Sequence, residues 1–227
     1  MKSRWWDNYA KCYDAMWDSP CTSQLAGYLA GILNTEKAMR VFELGCGTGL
    51  ATQHIAAAGI DVAGVDNCPG MLGIARKRCP DAVLAEADVG SLNFGQIPVF
   101  DAIVSFNMVH VCSDVGNVMD RIIQKVAEDR AFGILTWPAD RLTLWGMFRL
   151  DIKHGRPMGE SMKAGLLRWW FGLSGAILGI RTNKSAAILR CFGSSAEKYG
   201  CVCDSKMIEG YQNILVFRGC GRRQENE

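Results

Sequence analysis

Residues 40–50 read RVFELGCGTGL, and this segment is the strongest indication of the fold in the sequence. Its first half is a short apolar run that ends in glycine, as expected for a buried parallel strand. A helix is predicted directly afterwards, over about 50–58, and Gly59 occupies the usual glycine position after a helix. Glycines at such a junction permit a tight turn and let a ligand approach the backbone closely. Three of them stand here: Gly45, Gly47 and Gly49.

The same alternation of strand and helix continues along the chain. Further strands are predicted at 61–66, 82–87, 100–106 and 131–137, with helices near 69–78 and 115–129. Two last strands, at 199–204 and 211–217, are joined by a short loop and predict an antiparallel hairpin. Strands that alternate with helices specify right-handed crossovers. The sequence therefore predicts an α/β fold with a doubly wound, mostly parallel, seven-stranded sheet.

A chain of this length is expected to form one domain over 1–227. Aromatic residues at spacings of three and four predict N-terminal helices over 1–35, the second of them beginning at Ser19-Pro20. Residues 138–196 interrupt the alternation with helical, Gly-rich and aromatic sequence. We interpret this segment as a helical cap inserted after the fifth strand.

Composition excludes several classes of protein. A net charge of +2 with 49% hydrophobic residues argues against disorder, and no apolar run approaches the length of a conventional membrane span. The N-terminus has no signal-peptide pattern, so we expect a cytoplasmic protein. The ten cysteines form no Cys-x-x-Cys pair and predict reduced, buried side chains and no metal site. One alternative is a metalloid-binding group formed by Cys191, Cys201, Cys203 and Cys220.

Carboxylates surround the predicted loop. Glu43 precedes the glycines, Asp66 ends the second strand, and Asp88 follows the third. An acid at the position of Asp66 can accept both hydroxyls of a ribose. A dinucleotide fingerprint would need a third glycine where Leu50 stands, which weakens a nicotinamide interpretation. The acidic surroundings suit a cationic nucleoside better than a pyrophosphate.

Four ordered segments carry a resemblance to a known family. They are VFELGCGTGL (41–50), VAGVDNCPGML (62–72), EADVGSL (86–92) and FDAIVSFNMVHV (100–111). Together they resemble class I S-adenosylmethionine-dependent methyltransferases, most closely the small-molecule group that includes quinone-biosynthesis enzymes (methyltransferase type 11). The resemblance covers about 5–137 and the last two strands. It implies a Rossmann-like methyltransferase fold, with S-adenosylmethionine as cofactor and S-adenosylhomocysteine as product.

The resemblance also implies roles for residues. The glycine loop would pass under the methionine part of the cofactor, Glu43 would help to orient its amino group, and Asp66 would hold the ribose. Residues after the second and third strands would border the adenine, and residues after the fourth would line the site. N-terminal aromatic residues would close over the cofactor. The implied cofactor residues are Glu43, Gly45, Cys46, Gly47, Gly49, Asp66, Asn67, Met71, Asp88, Val89, Phe106, Asn107, Tyr9 and Tyr13.

His110 is the candidate catalytic residue, because it follows the fourth strand at the expected substrate mouth, where a neutral imidazole could take a proton from a hydroxyl. Substrate contacts are expected from His154, Trp145 and Trp169 in the cap. Residues 141–200 carry ten basic and three acidic side chains, which favours an anionic acceptor or a solvated face. Residues 166–181 are interpreted either as a buried lid helix or as a peripheral element on an anionic membrane.

These observations predict methyl transfer to an O, N, C or S atom of a small, fairly apolar acceptor, which could be anionic. Nucleic acid is not expected as a partner, because no recognised binding module is present and the basic residues are scattered. The alternatives are a non-catalytic, cofactor-binding scaffold, a nicotinamide oxidoreductase, and a metalloid methyltransferase that uses the cysteines. The sequence leaves the acceptor and the oligomeric state undetermined.

Overall fold

A computed structural model of the chain describes residues 2–140, 143–177, 182–208 and 212–219. It contains the predicted alternation of helices and strands, and most boundaries lie within two or three residues of those expected. The elements are α1 (Lys2–Trp17), α2 (Pro20–Thr35), β1 (Arg40–Leu44), α3 (Leu50–Ala57), β2 (Asp61–Asp66), α4 (Pro69–Arg78), β3 (Val83–Glu86), β4 (Ala102–Phe106), α5 (Val115–Asp129), β5 (Phe132–Pro138), α6 (Leu144–Lys153), α7 (Met158–Ile177), α8 (Ser185–Tyr199), β6 (Cys201–Ile208) and β7 (Gln212–Gly219).

The seven strands form one sheet in the order β3-β2-β1-β4-β5-β7-β6. Strands β1 to β5 are parallel, whereas β7 is antiparallel to both β5 and β6. The predicted doubly wound, mostly parallel sheet with a C-terminal hairpin is therefore confirmed. Strand β1 lies between β2 and β4, so the chain reverses its winding direction there. Ligands of doubly wound sheets bind at such a switch point, outside the carboxyl ends of the strands.

Alternate residues of β1 enter the cores on opposite faces of the sheet. Val41 packs with α2 and α3, whereas Phe42 and Leu44 pack with α5 and α8. Covering both faces with helices explains why a parallel strand reads as a continuous apolar run.

The two predicted N-terminal helices are present. Ser19 accepts a hydrogen bond from the backbone N–H of Thr22 (3.3 Å), and Pro20 occupies the first helical position, so the sequence signal for the start of α2 is confirmed. Helix α1 turns its aromatic side chains toward α7, where Trp5 and Tyr9 contact the ring of Phe171.

Residues 138–196, predicted as a cap, form helices that pack in two different parts of the protein. Helices α6 and α7 pack against each other and against α2 and α1, respectively. Helix α8 covers the sheet beside α5, where Phe192 packs edge to face on Phe217 with ring centroids 5.1 Å apart. Helix α7 runs without interruption through Gly172 and Gly175.

Among the described residues, no helix is both long enough and apolar enough to cross a membrane.

Gly133 of β5 pairs with Phe217 of β7, and a Cβ at this glycine would lie 2.2 Å from the phenyl ring. We expect Gly133→Ala to lower the free energy of unfolding by about 1–3 kcal/mol, because the buried ring cannot yield without disturbing the core. Adding Phe217→Leu should recover part of this loss, since it removes the clashing ring atoms. Urea unfolding of the single and double variants measures the effect.

The control is Gly193→Ala, within α8, where an added Cβ meets nothing within 4 Å. It should leave stability unchanged or raise it by up to about 1 kcal/mol. Equal stability of Gly133→Ala and Gly193→Ala would contradict the packing described here.

Candidate functional site

The loop after β1 is built on left-handed glycines. Gly45, Gly47 and Gly49 have φ angles of 71°, 56° and 82°. At Gly45 a Cβ would lie 2.4 Å from Cγ of Met108, so only glycine fits there, whereas the space above Gly47 is open to 4 Å. The loop therefore offers bare backbone to a ligand at the switch point of the sheet.

Asp66, at the end of β2, holds this loop in place. Its Oδ2 accepts a hydrogen bond from the Gly47 N–H (2.9 Å), and its Oδ1 accepts one from the Cys68 N–H (2.9 Å). Burial raises the pKa of the Asp66 carboxyl, while these backbone N–H groups oppose the rise. Each oxygen keeps lone pairs for further donors, as the two hydroxyls of a ribose would require.

Glu43 lies beneath the loop and is fully buried. Its Oε2 accepts a hydrogen bond from Oγ1 of Thr52 in α3 (2.6 Å). Burial raises the Glu43 pKa to about 8, and the nearby charge of Asp66 adds to the rise. Glu43 therefore joins β1 to α3. Its implied role in orienting a cofactor amino group stays a prediction.

The residues expected around an adenine are divided between surface and core. Asn67 and Asp88 are exposed, and Asp88 Oδ1 accepts the Gly90 N–H at 3.0 Å. Met71 and Val89 are buried. Cys46 is also buried, which raises the pKa of its thiol.

Of the two N-terminal tyrosines, Tyr13 is the one near the carboxylates. Burial raises its pKa, and the charges of Asp66 and Glu43 raise it further. Tyr9 instead stacks on Trp5 (4.9 Å between centroids), and its hydroxyl accepts a hydrogen bond from Trp17 Nε1 (2.9 Å). Burial raises the pKa of Tyr9 to about 12. Tyr9 thus packs against Trp5 and Phe171. Tyr13 is the better placed of the two tyrosines to cover a cofactor.

A cluster missed by sequence reasoning ties α1 to the glycine loop. Thr48 Oγ1 donates to Asp14 Oδ1 (2.6 Å), Arg78 forms an ion pair with Asp14 (2.7 Å), and Arg78 also donates to the Thr48 carbonyl (2.9 Å). These residues are separated by 30 and more positions, so no local pattern reveals the cluster. It brings a cation beside a loop that has none in its own sequence.

Asn107 follows β4 in the left-handed conformation, with φ of 55°. Its N–H donates to the carbonyl and the hydroxyl of Thr136 (3.1 and 3.0 Å), and its Oδ1 accepts from Gln212 Nε2. Phe106 is buried beside it. The strand ends of β4, β5 and β7 are thus linked by one polar network, of which the sequence indicated only Asn107.

A small cavity of about 60 Å³ opens above this network. Helices α6 and α7 close one side of it with two apolar and two charged side chains, and the strand ends form its floor. Its lining residues include Trp17, Leu25, Phe106, Asn107, Pro138, Met147, Leu150, Asp151, Arg168 and Gln212.

A buried charge cluster secures the cap over this cavity. Asp151 of α6 pairs with Arg168 of α7 (2.9 Å) and with Arg156 between the two helices (3.4 Å). Both arginines also donate to backbone carbonyls at the end of α1, those of Ala15 and Met16. Since a buried charge is tolerated only when it is paired and hydrogen-bonded, this cluster fixes the positions of α1, α6 and α7 together.

None of the three residues predicted to contact substrate lines this cavity. Trp145 and Trp169 point outward and are 67% and 55% exposed, and His154 caps the C-terminal end of α6. The tryptophan that does line it is Trp17 of α1, one of the aromatic residues whose spacing predicts the N-terminal helices.

His110 lies in a single helical turn, Val109–Val111, and is not among the residues that line the cavity. Burial of the imidazole lowers its pKa to about 4, so the ring is neutral near pH 7. Within the described part of the chain, its Nδ1 has no hydrogen-bond partner. A neutral ring with a free nitrogen could still accept a proton, and the catalytic role stays a prediction.

The cysteine alternative finds no support. Across residues 2–140, 143–177, 182–208 and 212–219, no three His, Cys, Asp or Glu residues lie where they could share a metal ion. Cys191 and Cys201 pack on the main core near α5 and α8, Cys203 is exposed, and Cys220 lies outside the described residues.

Comparisons with known proteins agree with this geometry. Residues 42–129 match the family model described as a methyltransferase domain. A magnesium-protoporphyrin O-methyltransferase of Rhodobacter capsulatus is 28% identical over 121 residues, which cover 52% of this chain and 54% of that protein. A ubiquinone biosynthesis O-methyltransferase of Ruegeria pomeroyi is 34% identical over 84 residues, or 34% of each chain. The chain thus matches about half or less of the length of these relatives.

Among solved structures, magnesium protoporphyrin IX methyltransferase of Synechocystis with bound SAH superimposes with a TM-score of 0.55 at 17% identity, covering 86% of this chain and 82% of that one. Such a likeness shows the fold. The similarity to the methyltransferase-domain family covers residues 42–129.

The electrostatics of Glu43 give a prediction for stability. The folded state holds a proton on this carboxyl up to about pH 8, whereas the unfolded chain releases it near pH 4.5. The free energy of unfolding of wild type should therefore fall as the pH rises from about 4.5 to about 8, by at most about 1.4 kcal/mol per pH unit. Glu43→Gln cannot ionise, so its free energy of unfolding relative to wild type should increase with pH.

Urea unfolding over the same pH range measures this difference. Glu86→Gln, on the exposed strand β3, is the matched control and should follow wild type. If the difference in free energy of unfolding between Glu43→Gln and wild type does not change with pH, Glu43 has the same pKa in the folded and the unfolded state.

Proposed function

We propose that the protein is an S-adenosylmethionine-dependent methyltransferase that acts on an O, N, C or S atom of a small, fairly apolar acceptor, which can carry an acidic group. One observation carries this proposal. The bare backbone at Gly47 and the carboxylate of Asp66 meet at the switch point of the sheet, joined by a 2.9 Å hydrogen bond. The methyltransferase-domain match over 42–129 spans both residues.

The residues around the loop fit such a cofactor. The carboxylate of Asp66 suits a cationic sulfonium nucleoside, and open space above Gly47 admits a ligand against the backbone. Asp66 would accept the ribose hydroxyls, Met71 and Val89 would form the apolar border of the adenine, and Tyr13 would cover the cofactor from α1. The bound cofactor supplies an activated methyl group. What remains for the chain is to hold the acceptor in line with that group and to exclude water.

The cavity beneath α6 and α7 is our candidate for the acceptor site. Its floor at Phe106 and Asn107 lies at the carboxyl end of β4, next to the strand that feeds the glycine loop. Apolar walls from Trp17 and Leu150 favour an apolar acceptor, and an acidic group on that acceptor would compete with Asp151 for Arg168. At about 60 Å³ the cavity is smaller than the roughly 300 Å³ of typical ligand pockets, so the site would have to open further to hold an acceptor of the usual size.

Calorimetric titration tests the cofactor assignment. Wild type should bind S-adenosylmethionine and S-adenosylhomocysteine but not NAD, and Asp66→Ala should weaken binding by about tenfold or more, because hydrogen bonds to a charged group are lost. Asp66→Asn keeps only one of the two oxygens that hold the loop, so thermal unfolding of both variants is needed to separate loss of the ribose contact from collapse of the loop.

Asp61→Ala is the control, since Asp61 stands exposed at the opposite end of β2. It should bind like wild type. If wild type binds neither S-adenosylmethionine nor S-adenosylhomocysteine, the cofactor assignment is wrong. Binding without methyl transfer to any acceptor would instead favour a non-catalytic scaffold.

His110 makes a second prediction. If its neutral imidazole accepts a proton from the acceptor, His110→Ala should lower kcat by about 100-fold or more while leaving cofactor affinity unchanged. Because the pKa of His110 is about 4, wild-type activity should not depend on this group between roughly pH 6 and 8. His54→Ala, a half-buried histidine on α3, is the control. Turnover unchanged in His110→Ala would remove this residue from the chemistry.

A further inference from the structure

The outer face of α7 is apolar along most of its length. Its exposed side chains recur at intervals of three and four residues and so form one stripe. Leu166 is 69% exposed and Trp170 is 60% exposed, values unusual for side chains of this size. The residues of this outer face of α7 are Met158, Met162, Leu166, Trp169, Trp170 and Leu173.

The opposite face of the same helix shows that this exposure is not a matter of loose packing. Ala164 and Phe171 are buried there, and Arg168 is buried with its guanidinium paired to Asp151 at 2.9 Å. The helix thus buries its arginine and exposes its tryptophans, the reverse of an ordinary surface helix of a globular protein. An apolar stripe of this size marks a contact with something outside the chain.

Exposed charges on α7 and on its neighbour α6 indicate what that contact is. Lys163 of α7 is exposed, as are Arg149 and Lys153 of α6. Over residues 143–176 the described chain has only one exposed acid, Glu160, and it lies 4.0 Å from the guanidinium of Arg156. Helix α6 adds Trp145, which is 67% exposed and stacks on Phe148. Exposed tryptophans with basic neighbours complement an anionic lipid surface.

We propose that the outer face of α7, aided by Trp145 of α6, docks on the surface of an anionic lipid bilayer. No described helix can span a membrane, so the contact is interfacial, with the tryptophans at the level of the headgroups and the basic side chains on lipid phosphates. The inner faces of these two helices line the cavity through Met147 and Arg168. A bilayer bound to the outer face therefore contacts the same helices that line the cavity.

Vesicle flotation of the full chain, without cofactor or acceptor, tests this proposal independently of methyl transfer. Wild type should float with vesicles made of equal parts phosphatidylcholine and phosphatidylglycerol, and more weakly with phosphatidylcholine alone. Trp169→Ser with Trp170→Ser should lower partitioning by at least about tenfold, because two large apolar side chains no longer enter the interface. Lys163→Glu with Arg149→Glu should abolish the preference for anionic vesicles.

The matched control is Met39→Ser with Val83→Ser, which removes two apolar side chains of similar exposure (63% and 73%) far from the cap. It should float like wild type. The proposal is wrong if wild type stays unbound at every composition, or if the tryptophan variant floats as well as wild type. It is also wrong if light scattering shows a dimer that the tryptophan variant disperses, since a second copy of the chain then covers the stripe.

Discussion

The turn from β1 into α3 is the constraint on which the rest of the site depends. The chain must leave a buried strand and start a helix within five residues, and it does so with glycines in the left-handed region. A side chain at Gly45 would collide with Met108, so the end of β4 can approach β1 only because this glycine is bare. The carboxylate of Asp66 then fixes the turn by accepting the Gly47 N–H.

Buried charge organises the second layer of the structure. Asp151, Arg156 and Arg168 connect α6 and α7, and the arginines bond to the last carbonyls of α1. The other end of this arrangement is Asp14, which contacts Thr48 in the glycine loop. Helix α1 thus links the loop to the cap.

The same cap has two unlike faces, and their difference connects the two proposals. Its inner face supplies a mixed lining of Met147, Leu150 and Arg168, whereas its outer face is apolar with basic neighbours. Only the inner face is needed to enclose the cavity, so the cavity does not explain why the outer face is apolar. An outer face that is costly to expose to water implies an environment that covers it, and an apolar acceptor would be concentrated in that same environment.

The sheet, the glycine loop and the position of Asp66 could be predicted from the sequence alone, because strands and turns follow from local hydrophobic period and from the backbone freedom of glycine. It did not reveal the cluster of Asp14, Thr48 and Arg78, nor that Arg168 is buried while Trp169 is exposed. Those depend on which side of a helix meets a neighbour distant in the chain. Only the tertiary structure decides that, because ion pairs and cavity walls form between residues that share no local pattern.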